Sequence, residues 1–292
     1  MSRKIALFSK GLTEKTVAGL HRLIDALHGR GAEIYLNVMG NGADRFVTDS
    51  RVRLFESADD LPDDMYLVIS VGGDGTFLET AMRVRELNIP VAGINTGRLG
   101  FLANIPDDNI GKAMEMLCSG AYEVISRSML EIVSPEGLFG ERSTLALNEV
   151  TIQKSDQRMI TITVSVNGNF LNTYRADGLI ISTSTGSTAY NLSVGGPILS
   201  PSDESFIIAP MSPHNLTVRP IIITGNSTIV MEAGGRSTEC MITCDSRATH
   251  MPLGVKIEVR PAPMKLRTVT PEGNDFFSTL RNKLMWGADL RN

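Results

Sequence analysis

The chain has 292 residues, 42% hydrophobic and 21% charged, with a formal net charge of −4; this suits about two globular domains and excludes the basic excess of a nucleic-acid binder. Cys118, Cys240 and Cys244 show no metal-ligand spacing, so neither a disulfide framework nor a zinc site is expected. No run approaches the ~20 apolar residues of a membrane span, and Lys10, Glu14 and Lys15 interrupt the first apolar run too soon for a signal segment; a soluble, cytoplasmic protein without membrane or nucleic-acid partners is expected.

Lys4–Phe8 reads as a strand, and residues 12–28 follow as a helix with Val17, Leu20, Leu23, Ile24 and Leu27 on one face. Residues 32–38, 65–71 and 91–94 read as further strands, with residues 76–87 and 110–117 as helices between or after them. That alternation predicts a Rossmann-like parallel sheet covered on both faces, over residues 1–126. From about Met129 the pattern changes to short runs: residues 130–133, 145–152, 160–166, 178–182, 206–209, 221–224, 228–231, 240–243, 255–259 and 266–269. Asn167-Gly168, Gly225-Asn226 and Gly234-Gly235 punctuate them. An all-β, sandwich-like domain over 127–270 is expected. A last helix, within 271–292, carries Phe276, Phe277, Leu280 and Leu284 on one face and is expected to pack back on the first domain.

Three stretches carry chemistry. Gly72-Gly73-Asp74-Gly75-Thr76 follows the buried third strand and opens a helix, where glycines let phosphate oxygens approach amides at a helix N-terminus. A carboxylate inside a phosphate cradle suits proton acceptance from a hydroxyl or a cation anchor; the same pentad also fits a plain turn with Asp as cap. Neither a Walker A loop nor a dinucleotide fingerprint is present. Gly93-Ile94-Asn95-Thr96-Gly97-Arg98-Leu99-Gly100-Phe101-Leu102 ends the next strand, as a second wall in which Arg98 either neutralises phosphate or is simply solvated. From Gly178 to Ser202 no residue is charged and nine are Ser or Thr. A loop rich in N–H and O–H donors suits a polyhydroxylated or anionic ligand, and Tyr190 offers a ring for stacking. Arg175, Asp177 and Asn148-Glu149 lie close by in sequence, each also readable as an ordinary turn or strand end.

Together, GGDGT (72–76), GINTGRLGFL (93–102), LNEV (147–150), YRADGLIISTSTGSTAYNLSVGGPI (174–198) and PHNLTVRPI (213–221) resemble the NAD kinase family. The resemblance spans most of the chain, and the long block separates it from lipid and phosphofructokinase relatives of the GGDGT loop. It implies ATP-dependent phosphorylation of the 2′-hydroxyl of the adenosine ribose of NAD, a divalent metal cation (magnesium), and a homodimer or homotetramer. It further implies Asp74 as general base, with Gly75 beside it at the phosphates. Asn148 and Glu149 would be adenosine and ribose contacts, and Asp177 a nicotinamide-side contact beside Arg175. Thr185, Thr188, Ala189, Tyr190, Asn191, Leu192 and Ser193 would form the adenine and ribose wall. No metal-ligating residue is assigned. Arg247, where many relatives have glutamine, is carried over as an NAD contact, and His250 is a second nicotinamide-side candidate. Two rivals remain: a lipid or sugar kinase using the same loop, and a non-catalytic dinucleotide-binding regulator.

Overall fold

The computed structural model describes residues 2–40, 46, 48–97, 100–107, 110–140, 143–273 and 275–287. They fall into two compact units, one formed by Met1–Ser126 with Leu266–Asn292 and the other by Arg127–Lys265.

The first unit is built on a largely parallel sheet. Its strand order is Val52–Leu54, Glu33–Met39, Lys4–Lys10, Leu67–Val71, Val91–Asn95, Leu266–Pro271 and Tyr122–Arg127, with Ile105–Pro106 also paired to Val91–Asn95. Ile5 lies opposite both Ile34 and Leu67, and Val68 opposite Val91. Leu67–Val71 is buried at every position, the signature of a strand covered on both faces. The helix Glu14–His28 supplies part of that cover. Its Leu20, Leu23, Ile24 and Leu27 recur at helical spacing and are fully buried, and Thr13 caps it by accepting from the Thr16 amide at 3.2 Å.

One expectation is corrected here. The run at 266–269, read as part of the β-rich domain, pairs parallel with Val91–Asn95, placing Thr268 opposite Val91. Its apolar side explains the choice, since Val269 is buried in the core of the first unit. The helix Phe276–Leu284 belongs to the same unit. Asp275 caps it, accepting from the Ser278 amide at 2.9 Å, Leu280 is buried, and the Phe276 ring lies 6.5 Å from that of Phe101.

The second unit is a sandwich of two six-stranded antiparallel sheets. One runs Ile221–Ile223, Phe206–Met211, Gly178–Ser182, Glu149–Lys154, Glu239–Cys244, Arg247–Pro252. The other runs Asn169–Ala176, Ile160–Val166, Ile229–Gly234, Lys256–Pro261, Leu130–Ser134, Leu145–Ala146. Inward residues of both, among them Ile152, Ile162, Val164, Ile181, Ile208, Met231 and Val259, form one core. Cys240 and Cys244 are buried in it as free thiols. Asn167 and Gly168, with φ of 51° and 79°, make the tight turn between two of these strands. The single strand read at 145–152 is two, one in each sheet, and the break at Leu147-Asn148 belongs to the site described next. Among the described residues no helix is long and apolar enough to cross a membrane.

Candidate functional site

In the first unit, the buried strand Leu67–Val71 ends at Gly72, and the helix Asp74–Val84 begins two residues later with Gly73 as a cap that offers no side chain. Ligands of open α/β sheets sit at such strand ends. A side chain at Gly73 or Gly75 would meet nothing within 4 Å, so the face of the turn is open to an approaching anion. The Asp74 carboxylate is held by the loop that follows the neighbouring strand. Oδ2 accepts from the Phe101 amide at 3.0 Å, and Oδ1 from the Leu102 and Ala103 amides at 3.1 and 2.9 Å. A Cβ at Gly100 would overlap Asp74 Oδ1, so this glycine exists to let the carboxylate in. Lys283 Nζ, from the terminal helix, lies 3.5 Å from Asp74 Oδ2. Arg98 lies outside the described residues.

In the second unit the organising group is Asp245. It sits with φ of 50° in the two-residue turn joining Glu239–Cys244 to Arg247–Pro252, a conformation Asp tolerates better than most residues. Its carboxylate takes the amides of Leu147, Asn148 and Glu149 at 2.9, 2.8 and 3.2 Å. Those three donors are therefore lost to the sheet, which is why the strand breaks there. The uncharged loop closes on the same corner. A Cβ at Gly186 would overlap the Asn148 carbonyl oxygen, the Gly186 amide donates to Thr183 Oγ1 at 3.0 Å, and Thr183 Oγ1 donates to the Leu147 carbonyl at 2.6 Å. The Tyr190 amide lies beside the Glu149 carboxyl and favours its charged form, while buried Glu149 Oε2 makes no hydrogen bond.

Asn148, Glu149, Thr185 and the 188–193 stretch thus gather at one corner. Thr185 Oγ1 accepts from Arg127 Nη1 at 3.2 Å. Thr188, Ala189 and Leu192 are partly buried, and Tyr190 and Ser193 are exposed. Asn191 is fully buried, its Nδ2 donating to the Ser187 and Pro197 carbonyls at 3.0 Å each, so it pins the loop. Arg175 and Asp177 are elsewhere. Glu149 lies opposite Ser182 at one end of a strand pair and Gln153 opposite Gly178 at the other, which puts Asp177 roughly 17 Å from Glu149 at ~3.4 Å per residue. The Asp177 carboxylate pairs with Lys154 at 2.6 Å. Arg247 spends its guanidinium on the Ser143 and Cys244 carbonyls at 2.6 and 3.0 Å and on that of Leu145, 3.7 Å from Asp245. His250 faces Glu239 at 3.2 Å and Ser155 at 3.3 Å on an edge strand.

Two functional side chains escaped the reading of the sequence. Asp245 carries no local signal, because the amides it captures lie 96–98 residues away in the chain. Lys283 sits on a helix legible by its apolar face, but no local pattern marks what its ammonium meets.

Burial pushes the Glu149 carboxyl up to about 8, the neighbouring Asp245 charge adding to the rise and the Tyr190 amide opposing it. Burial also raises Asp245, against its three amides and Arg247. A carboxyl held neutral when folded binds more protons folded than unfolded, so stability falls as pH rises from the unfolded value of ~4.5 through about 8. Glu149→Gln removes this titration. Its melting midpoint, relative to wild type, is expected to rise steadily between about pH 5 and about pH 9. A difference that falls with pH in calorimetry would mean that Glu149 is ionised in the folded state.

A family model described as ATP-NAD kinase N-terminal domain matches residues 37–122, and one described as ATP-NAD kinase C-terminal domain matches residues 147–270. A protein named NAD kinase from Bacteroides fragilis is 40% identical over 293 residues, 99% of each chain. Another of that name, from Cytophaga hutchinsonii, is 45% identical over 227 residues, 77% of each chain. Among solved structures, a yeast NADH kinase complexed with NADH matches with a TM-score of 0.82 at 24% identity, over 99% of this chain and 89% of that one. An NAD kinase from Archaeoglobus fulgidus in complex with ATP matches at 0.74 and 23%, over 95% and 98%. At these identities the structural likeness concerns the fold.

Proposed function

The chain belongs to the ATP-NAD kinase family of phosphotransferase enzymes, and from that premise we propose that Asp74 is the base that activates the 2′-hydroxyl of the adenosine ribose of NAD for attack on ATP. The ribose oxygen forms a bond to the γ-phosphorus, the bond from that phosphorus to the β,γ-bridging oxygen breaks, and ADP leaves. The hydroxyl proton passes to Asp74, and NADP is the product. Phosphoryl transfer asks little covalent chemistry of a protein beyond placing groups and meeting charge. The open face at Gly73 and Gly75 and the unbonded amides of the first helical turn are suited to the phosphate oxygens.

The observation that carries the dinucleotide side is Glu149. A buried carboxyl with an unbonded oxygen, beside a loop of hydroxyls and amides, is an offer to a neutral, hydroxyl-bearing ligand. We assign the adenosine to Asn148, Glu149, Thr185, Thr188, Ala189, Tyr190, Leu192 and Ser193, with Asn191 holding the loop in shape. Arg175 and Asp177 are assigned to the nicotinamide end, a strand's length away. Arg247 acts from behind, bracing the carbonyls beside Asp245. The same reading keeps the homodimer or homotetramer and the cytoplasm as its setting.

A divalent ion is implied by the family. Among the described residues no three His, Cys, Asp or Glu side chains converge, and the Asp74 oxygens already accept three amides. The chain's residues therefore do not fit a resident metal cage; a magnesium ion belongs with the triphosphate as part of the substrate, held by phosphate oxygens and water.

The test is NADP formation from NAD and ATP with magnesium, read through an NADP-specific dehydrogenase. Product is expected from wild type. Well-folded protein that binds NAD and forms no NADP would favour the regulator instead, and protein that binds no NAD would favour a lipid or sugar acceptor.

A further inference from the structure

We propose that Lys283 is the cation that meets the phosphoryl donor, and that by moving from Asp74 to phosphate oxygens it opens the carboxylate to the hydroxyl; this rests on the kinase reading above. A carboxylate offers about four acceptor directions. On Asp74 the Leu102 and Ala103 amides fill those of Oδ1, and the Phe101 amide fills one on Oδ2. Lys283 Nζ lies 3.5 Å from Oδ2, the oxygen with a direction to spare, as an ion pair. An ammonium beside that oxygen stands in the way of a hydroxyl approaching it. The three amides belong to a backbone loop seated on Gly100 and cannot leave singly. Lys283 can.

The surroundings suit such a move. Both side chains are about one-third exposed, at 32% each, and an ion pair that wet contributes little, so little holds the ammonium in place. It lies 4.4 Å from the centre of the Phe101 ring, a second favourable seat beside the first. Phe101 in turn packs 6.5 Å from Phe276 of the same terminal helix, tying the base of the lysine to the loop that holds Asp74. A compact charge on a flexible four-carbon stem suits exchange between two anions better than a planar guanidinium. The chain as a whole carries −4, so a polyphosphate must be met by local cations. No bond to lysine forms or breaks; the ammonium changes anionic partners while the ribose oxygen loses its proton to Asp74.

Lys283→Met keeps the stem and removes the charge. It is expected to lower kcat/KM for ATP by about 10²-fold, the scale of one lost charge-stabilising donor, to weaken ATP binding in calorimetry, and to leave the KM for NAD unchanged. Lys283→Arg is expected to recover part of the loss. Lys283→Ala should regain rate on adding ethylammonium, with saturation, a response that a purely structural lysine would not give. Lys283→Met with wild-type kcat and KM for ATP overturns the inference while leaving the kinase reading intact. An alanine variant of unchanged melting midpoint but indifferent to the amine also overturns it. Wild type that forms no NADP overturns the kinase reading, and this inference with it.

Discussion

Asp74→Asn is expected to cut kcat by about 10²–10⁴-fold, the range for loss of a general base, with NAD affinity held. The geometry sharpens what this variant does. An asparagine keeps one acceptor oxygen, but its NH2 must face either the Phe101 amide or the pair from Leu102 and Ala103, donor against donor. One or two loop amides lose their partner, at ~1–3 kcal/mol each where buried, so the melting midpoint should fall somewhat as well. The two effects separate in one pair of measurements. If the loop is the whole story, a modest loss of stability will accompany a modest loss of turnover. If Asp74 is the base, turnover collapses in protein that remains folded and still binds NAD. Full activity in the variant removes Asp74 from the base role. A glutamate is no substitute control, because the cradle against Gly100 has no room for a longer side chain.

The second large effect is expected at Asp245. Asp245→Ala strands the amides of Leu147, Asn148 and Glu149, at ~1–3 kcal/mol each where buried, and removes the negative charge 3.7 Å from Arg247. A further ~1 kcal/mol or more is lost because alanine resists the positive φ of 50° held there. Asp245→Asn isolates the charge, since asparagine accepts that backbone conformation and retains one acceptor oxygen. The alanine variant should unfold at clearly lower urea concentration and show a raised KM for NAD. The asparagine variant should sit between it and wild type. Its Glu149, relieved of a neighbouring negative charge, should ionise more readily. Wild-type stability and NAD dependence in Asp245→Ala would mean that the corner at Leu147–Glu149 holds without its central carboxylate.

What was legible in the chain beforehand divides along physical lines. Runs such as Leu67–Val71 announce strands because both faces are buried, and Glu14–His28 announces a helix because its leucines recur at the right spacing. Asn169–Ala176 and Arg247–Pro252 went unread because edge strands with alternating exposed polar residues carry little apolar signal. Leu266–Pro271 was readable as a strand, but its sheet was not. Pairing is decided by what the apolar side meets, and Val269 meets the core of the first unit. The GGDGT loop and the uncharged stretch rich in Ser and Thr stand out by composition. The reasons for Gly100 and Gly186 do not, for each glycine answers a group brought from elsewhere by the fold, the Asp74 carboxylate in one case and the Asn148 carbonyl in the other.

The unit that carries Asp74 is discontinuous in the chain, and this imposes an order on its making. A ribosome delivers all of Arg127–Lys265 before Leu266–Pro271, the strand that stands between Val91–Asn95 and Tyr122–Arg127. Until then Tyr122–Arg127 has no strand to join it to Val91–Asn95, and the lysine beside Asp74 has not been synthesised. The residues of the Glu149 corner are therefore all made before the ammonium that faces Asp74. The full set of groups around Asp74 is drawn from stretches of chain 180 or more residues apart, at 101–103 and at Lys283.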